Sequence, residues 1–475
     1  MEALIGREKE ISILDKSMKS DRCELVAIYG RRRVGKTFLV RSYFKDKFDF
    51  YSTGVIKGTY QDEIHSFVNS LVEYGYLGPE PQNWNECFSC LGSLLELKSK
   101  NKKSKLVVFI DELPCYDTRN SGFVKAFDYF WNSKGSWFNN IKFFICGSAT
   151  SWMIRNVINS HGGLHNRVTR ELHVRPFNLY QTEQYFKINK FHYSQLSILQ
   201  MYMSIGGIPY YLSLLDSEKD VYENIDSLFF GDDAALKQEF PRLFNSLYNS
   251  PEIYKDVIQV LSKSKRGMTR KEISSKLKVP DNGHLGDVLD NLEYCDFIRQ
   301  YLNGGRQNGG IYQITDFYLL FYFQFCTKKH TDSHFWRNMM GTPVINNWYG
   351  LSFERVCLYH IQEIVHALRY DTIHTECYSW RSKKSSPGAQ IDIIVDRADN
   401  NISICEVKYS NADYSLNKNE YEKIINRVET FRNETQTKKG LQVAIITTFG
   451  LKENPYSVIS QRTILLKDLF LKINV

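Results

Sequence analysis

An apolar run over residues 25–29 enters Gly30-Arg31-Arg32-Arg33-Val34-Gly35-Lys36-Thr37 and passes from Phe38 into a helical pattern. Two glycines at that spacing let the backbone curl until several N–H groups point at one centre, and the helix beginning there adds its positive dipole end. Such a cradle fits phosphate. GxxxxGK[ST] between strand and helix predicts a parallel α/β sheet with helices on both faces. In that geometry Gly30 through Phe38 wrap a nucleoside triphosphate, Lys36 neutralises its β- and γ-phosphates, and Thr37 offers its hydroxyl to Mg2+.

A second apolar strand, residues 106–110, ends on Asp111-Glu112 in the manner of a Walker B motif. The carboxyl ends of parallel strands gather at the ligand crevice, so Asp111 is expected to face Mg2+ and Glu112 the attacking water as catalytic base. A third strand, residues 141–146, leads into Gly147-Ser148, which puts the Ser148 hydroxyl near the terminal phosphate.

The chain has 475 residues, enough for about three domains. Its 43% hydrophobic and 24% charged residues exclude a mainly disordered or fibrous protein. The longest apolar run, residues 317–326, is interrupted by Gln324 and is too short for a bilayer. The N-terminal MEALIGREKEISILDK has acidic residues where a secretory signal needs an apolar block, so a cytoplasmic protein without a membrane partner is expected. Lys and Arg total 61 against 53 Asp and Glu, a net charge of +8 that permits an anionic partner without identifying one. Ten scattered cysteines fit reduced thiols. The single CxxC of Cys87 and Cys90 lacks a second ligand pair, so no zinc site is expected.

Leu4-Ile5-Gly6-Arg7-Glu8, GRRRVGKT, VVFIDEL, HGGLHNRVTRELHVRPF and GGIPYYL (residues 206–212) together resemble the archaeal-type ATPases of the AAA/STAND branch of P-loop proteins, over roughly residues 1–330. The resemblance implies an ATPase core over 1–178 with ATP and Mg2+ as cofactors. It puts Gly6 and Arg7 near the nucleotide base, makes Arg167 or Arg170 the arginine that senses the γ-phosphate, and leaves homo-oligomerisation open. Residues 179–248 then read as a helical lid. Residues 249–316 carry three amphipathic segments and a glycine-rich hairpin, the pattern of a winged helix in which Thr269 caps the second helix. Asp287, Asp290 and Glu293 on the third helix disfavour base reading, while Arg266, Lys271 and Arg306 can meet phosphates; duplex binding and a connector role both remain open. An aromatic amphipathic helix and a polar linker occupy 317–345.

The last domain, 346–475, has its own chemistry. Glu354 interrupts an apolar helical face. AQIDIIVD and ISICEVKYS are short strands joined by residues 397–401, and a hairpin centred on Asp399 puts Asp392 opposite Glu406, with Lys408 on the same face. Facing carboxylates repel unless a cation binds them, and with a backbone carbonyl they suit Mg2+, while the lysine can steady a pentavalent phosphate. Glu354, Asp392 and Glu406-Val407-Lys408, with Gln390 before and a helix over 421–432 after, look like the PD-(D/E)xK nuclease fold. That resemblance implies a C-terminal α/β restriction-endonuclease-like domain in which Glu354, Asp392, Glu406 and Lys408 are catalytic, Asp392 and Glu406 ligate metal, and DNA is the substrate. Two readings follow: an ATP-hydrolysing protein whose nucleotide state controls a Mg2+-dependent nuclease, or a STAND-type regulatory switch that binds nucleic acid or protein without cutting.

Overall fold

The computed structural model describes residues 4–101, 104–159, 166–248, 250–265, 267–303, 306–328, 330, 332–382 and 389–473. They form two compact units: Met1–Pro176 with Leu243–Asn249 and Asp290–Asp296, and Phe177–Arg242 with Ser250–Leu289 and Phe297–Val475.

In the first unit, helix α1 (Glu8–Lys19) precedes β1 (Glu24–Tyr29), α2 (Lys36–Phe44), β2 (Phe50–Thr53), α3 (Tyr60–Glu73), α4 (Trp84–Asn101), β3 (Leu106–Asp111), α5 (Phe123–Ser133), β4 (Ile141–Gly147) and β5 (Arg170–His173). The five strands pair parallel throughout, in the order β2-β3-β4-β1-β5. Every residue of β3 and β4 is buried, because helices cover both faces and leave no side for polar alternation. Leu25, Phe67, Trp84, Phe88 and Phe143 share one apolar core. Thr59 starts α3 by accepting from the Asp62 backbone N–H, while the Asp62 carboxylate accepts from the Thr59 N–H.

The second unit begins with α6 (Leu179–Ile188), α7 (Gln195–Ile205) and α8 (Val221–Phe229), capped by Asn178, Ser194 and Asp220. Three helices and a hairpin follow, α9 (Glu252–Ser262), β6 (Met268–Thr269), α10 (Arg270–Leu277), α11 (Gly283–Tyr294, of which Asp290–Tyr294 counts with the first unit), β7 (Ile298–Asn303) and β8 (Arg306–Ile314), the elements expected of a winged helix. Thr269 caps α10. Phe317–Phe321 is buried at every position, while in Tyr322–Cys326 only Phe325 is buried and Gln324 is exposed. The expected linker carries a helical turn with Trp336 fully buried.

The chain then continues through α12 (Pro343–Tyr359), β9 (Thr375–Arg381), β10 (Gln390–Arg397), β11 (Asn401–Lys408), α13 (Lys418–Thr435), β12 (Gly440–Thr447) and β13 (Ser460–Leu465). β7 pairs with β9 through Asn303 and Ser379, so the winged helix and the last domain share one sheet, β13-β12-β11-β10-β9-β7-β8-β6. No described helix is long and apolar enough to cross a membrane.

Candidate functional site

The loop after β1 curls as its residues require. Gly30 has φ +141° and a Cβ there would lie 2.2 Å from the Val174 carbonyl oxygen, so no other residue fits; Arg33 and Gly35 have φ of 76° and 87°. Lys36, 5% exposed, donates to the Gly30 and Arg31 carbonyls at 2.9 and 3.0 Å and to Ser148 Oγ at 2.9 Å. Its ammonium is thus held over the cradle. Thr37 Oγ1 donates to Asp111 Oδ2 at 2.6 Å, a hydroxyl and a carboxylate side by side as nucleotide-bound Mg2+ needs. Burial raises the Asp111 carboxyl above its ordinary range; the Thr37 hydrogen bond opposes this and Glu112 adds to it. Glu112 adopts φ 44°, and its carboxylate accepts from Ser148 Oγ at 2.7 Å and Ser148 N at 3.2 Å. Phe38 opens the outer face of α2, 42% exposed, and Arg32 and Arg33 are half-buried.

Other expected residues stand elsewhere. Arg7 is 4% exposed and donates to the carbonyls of Val34 and Arg175, both at 2.8 Å, so it braces the loop from behind; Gly6 beside it has φ 61°. Arg170 and Arg167 lie along β5 and the turn before it. Arg170 pairs laterally with Val26 of β1 and its guanidinium lies 3.7 Å from the buried Glu24, which starts that strand. Val26 precedes Gly30 by four residues, about 13 Å of extended chain, so Arg170 occupies the end of the sheet opposite the phosphate loop. Arg167, exposed in the turn before β5, lies at that end too. Residues 161–165 of the same motif lie outside the described residues, as does Arg266.

Glu63 on α3 was missed. It is fully buried and accepts the Val55 N–H with both oxygens, at 3.1 and 3.2 Å, fixing the loop that follows Thr53, the partner of Asp111. Its spacing from Phe67, within the stripe of Ile64, Phe67, Val68 and Leu71, was a legible signal. Burial pushes the Glu63 carboxyl up to about 7 from an ordinary 4.5, against the Val55 hydrogen bond. The folded protein therefore holds an extra proton between those values, and stability falls as pH rises through that window, by at most about 3 kcal/mol. Glu63→Gln, which keeps the acceptor and removes the titration, should flatten the decline in melting temperature between pH 5 and pH 8; an unchanged decline would contradict this.

The hairpin of the second unit has the expected register. Ile393 faces Cys405, Ile394 faces Ile404, Val395 faces Ser403 and Asp396 faces Ile402, and the next position outward sets Asp392 against Glu406. Simple alternation fails on the other side of β10. Its pairing with β9 slips between Ile391 and Ile394, a bulge that puts both isoleucines in one apolar cluster with Trp380, Ile404 and Phe431 and leaves the Asp392 carbonyl accepting from Ser379 Oγ. Gln390 Nε2 donates to Asp392 Oδ1 at 2.7 Å.

Electrostatics separate the three carboxyls. Burial first, then Asp392 and Glu406, push Glu354 up to about 8. Burial and Glu406 likewise raise Asp392, against its bond from Gln390. Burial would raise Glu406 too, but Lys408 and Arg427 outweigh it and hold Glu406 below its ordinary range. Lys408 Nζ is 3.0 Å from Glu406 Oε1 and Arg427 pairs with Oε2. Arg427, three residues after Ile424 on the inner face of α13, was missed despite that spacing. Among the described residues no group of three or more His, Cys, Asp or Glu side chains is arranged to hold a metal ion, so Asp392 and Glu406 would need a backbone carbonyl or water as further ligands.

Residues 4–215 match the family model of an ATPase domain predominantly from Archaea, and residues 322–424 that of archaeal and bacterial proteins of unknown function. An uncharacterized protein of Methanocaldococcus jannaschii is 25% identical over 331 residues, 68% of either chain. An uncharacterized ATP-binding protein of that organism is 35% identical over 43 residues, 9% of this chain and 73% of its own. Among solved structures, a Walker-type ATPase of Pyrococcus abyssi aligns at 19% identity and TM-score 0.49, covering 68% of this chain and 96% of that one. The Aeropyrum pernix ORC2 protein, solved as ADPNP–ADP complexes, aligns at 12% identity and TM-score 0.39, covering 75% and 96%. The two family models, with the parallel sheet and the loop geometry, show an ATP-binding P-loop ATPase domain of the predominantly archaeal kind over residues 4–215, followed over 322–424 by the domain of archaeal and bacterial proteins of unknown function.

Proposed function

We propose that ATP binding and hydrolysis in this chain control a Mg2+-dependent phosphodiesterase that cuts DNA. One arrangement carries the reading: the hairpin register, continued one step past Ile393 and Cys405, brings Asp392 towards Glu406, the two share electrostatic reach with Glu354, and Lys408 lies 3.0 Å from Glu406. At the nucleotide, Lys36 neutralises phosphate charge, Thr37 and Asp111 hold Mg2+, and Glu112 orients the attacking water once it leaves Ser148. In the second unit, Asp392 and Glu406 would hold Mg2+, which when bound would supply Lewis-acid activation of water and offset phosphate charge. Lys408 would steady charge developing on the phosphate, and Glu354 lies within electrostatic reach of both carboxylates.

Support for control comes from ties inside the second unit between the lid segment and the segments around the hairpin. Gln200 of α7 donates to Tyr409, next to Lys408, at 3.1 Å; Leu179 N donates to His360 Nε2 at 3.0 Å; Asp226 accepts from Trp336 N at 2.7 Å. A displacement of the lid therefore carries the hairpin with it. The alternative, a switch that binds without cutting, is favoured by Glu406, both of whose oxygens already face cations. Incubating the purified protein with linear and plasmid DNA, Mg2+ or Mn2+, and ATP or ADP tests the choice. Cleavage lost in Asp392→Asn supports the nuclease; DNA bound but uncut by wild type under every condition supports the switch.

A further inference from the structure

Beside the winged helix lies a recess of about 330 Å³ lined by Lys263, Lys265 and Lys276, by Ser264 and Glu272, and by Arg381 of β9. Four cations meet one carboxylate there. Glu272 Oε2 also accepts from Thr269 N at 2.7 Å and Thr269 Oγ1 at 3.0 Å in capping α10. Among the described residues no carboxylate forms an ion pair with Lys263, Lys265 or Lys276, and all three are exposed. Four cations against the single charge of Glu272 leave the recess net positive, which favours an anion.

The recess also has a fixed relation to the carboxylate centre. Arg381 pairs laterally with Gln390, whose amide holds Asp392. Tyr301 of β7 feels the charges of both Arg381 and Asp392, apart from its burial. Adjacent strands about 4.8 Å apart and two residues of about 3.3 Å rise put Asp392 within about 8 Å of Arg381 along the backbone, the scale of one or two nucleotide steps.

We infer that this recess binds a backbone phosphate of DNA next to the one presented to Asp392 and Glu406. The inference rests on the proposed cutting of DNA at that centre. It assigns the phosphate contact of the winged helix to Lys263, Lys265 and Lys276 instead of Lys271, which is exposed on α10 but does not line the recess.

The test uses the full chain and a fluorescein-labelled DNA duplex, with anisotropy read across a salt series. Lys263→Gln/Lys265→Gln/Lys276→Gln should weaken binding at low salt at least about 10-fold and make the slope of log affinity against log salt shallower by about 1 to 2. The triple Lys→Arg variant should restore both, and Lys271→Gln should change neither. Melting temperature checks folding, and equal melting with wild-type affinity and slope in the Gln variant would overturn the inference, as would wild type that does not bind DNA. A wild type that binds through these lysines yet never cuts would leave the recess standing and remove the nuclease reading.

Discussion

Lys36→Ala should abolish ATP binding, while Glu112→Gln should keep nucleotide and lose hydrolysis. Lys36 is 5% exposed and its ammonium is aimed by two loop carbonyls and Ser148, so it meets phosphate with little water to screen it. Removing one partner of such a buried, hydrogen-bonded charge pair costs about 2 to 5 kcal/mol, a 30-fold to several-thousand-fold loss of affinity. Glu112 differs because its carboxylate faces Ser148 and not the cradle of backbone N–H groups. An amide there still accepts from Ser148 but cannot take a proton from water, so phosphate release should fall about 100- to 10,000-fold with nucleotide affinity kept. Titration with a fluorescent ATP analogue and a phosphate-release assay separate the two. Undiminished hydrolysis in Glu112→Gln would move the water-orienting role elsewhere.

Asp392→Ala should have the second large effect. In the metal-free protein this carboxyl is raised by burial and by Glu406, so its removal relieves repulsion, and the variant should fold and melt no lower than wild type without metal. It should lose the Mg2+-dependent rise in melting temperature. DNA cleavage should drop by more than about 10- to 100-fold, the cost of losing a residue that merely orients a ligand. Lys408→Ala should keep the metal-dependent rise and lose cleavage, since an ammonium cannot ligate a cation but can stabilise phosphate charge. These melts belong on the full chain, because β7 and β9 join the winged helix to the hairpin in one sheet. A metal-dependent rise surviving in Asp392→Ala would remove Asp392 from the ligand set.

What could be read in the residues followed from how local each feature is. Strand, loop and helix around Lys36 are consecutive, and a hairpin's turn sets its register, so the pairing of Ile393 with Cys405 was legible from residues 392–406 alone. The position of Arg170 was not legible because it depends on β5 lying beside β1, a neighbour distant in sequence whose end at Glu24 carries the matching charge. The bulge at Ile391 and Ile394 depends on β9, and the shared sheet on the single pair of Asn303 and Ser379, neither of which leaves a periodic trace. Glu63 and Arg427 did leave one, as charges at apolar helical spacing of the kind that singled out Glu354.

The central claim is that nucleotide state governs a second catalytic centre. Its most direct test is the initial rate of DNA cleavage in Mg2+, with and without ATP, for wild type and Lys36→Ala side by side. The account predicts that ATP changes the wild-type rate at least about 10-fold and leaves that of Lys36→Ala unchanged. A wild-type rate indifferent to ATP, or no cleavage in any condition, would contradict it.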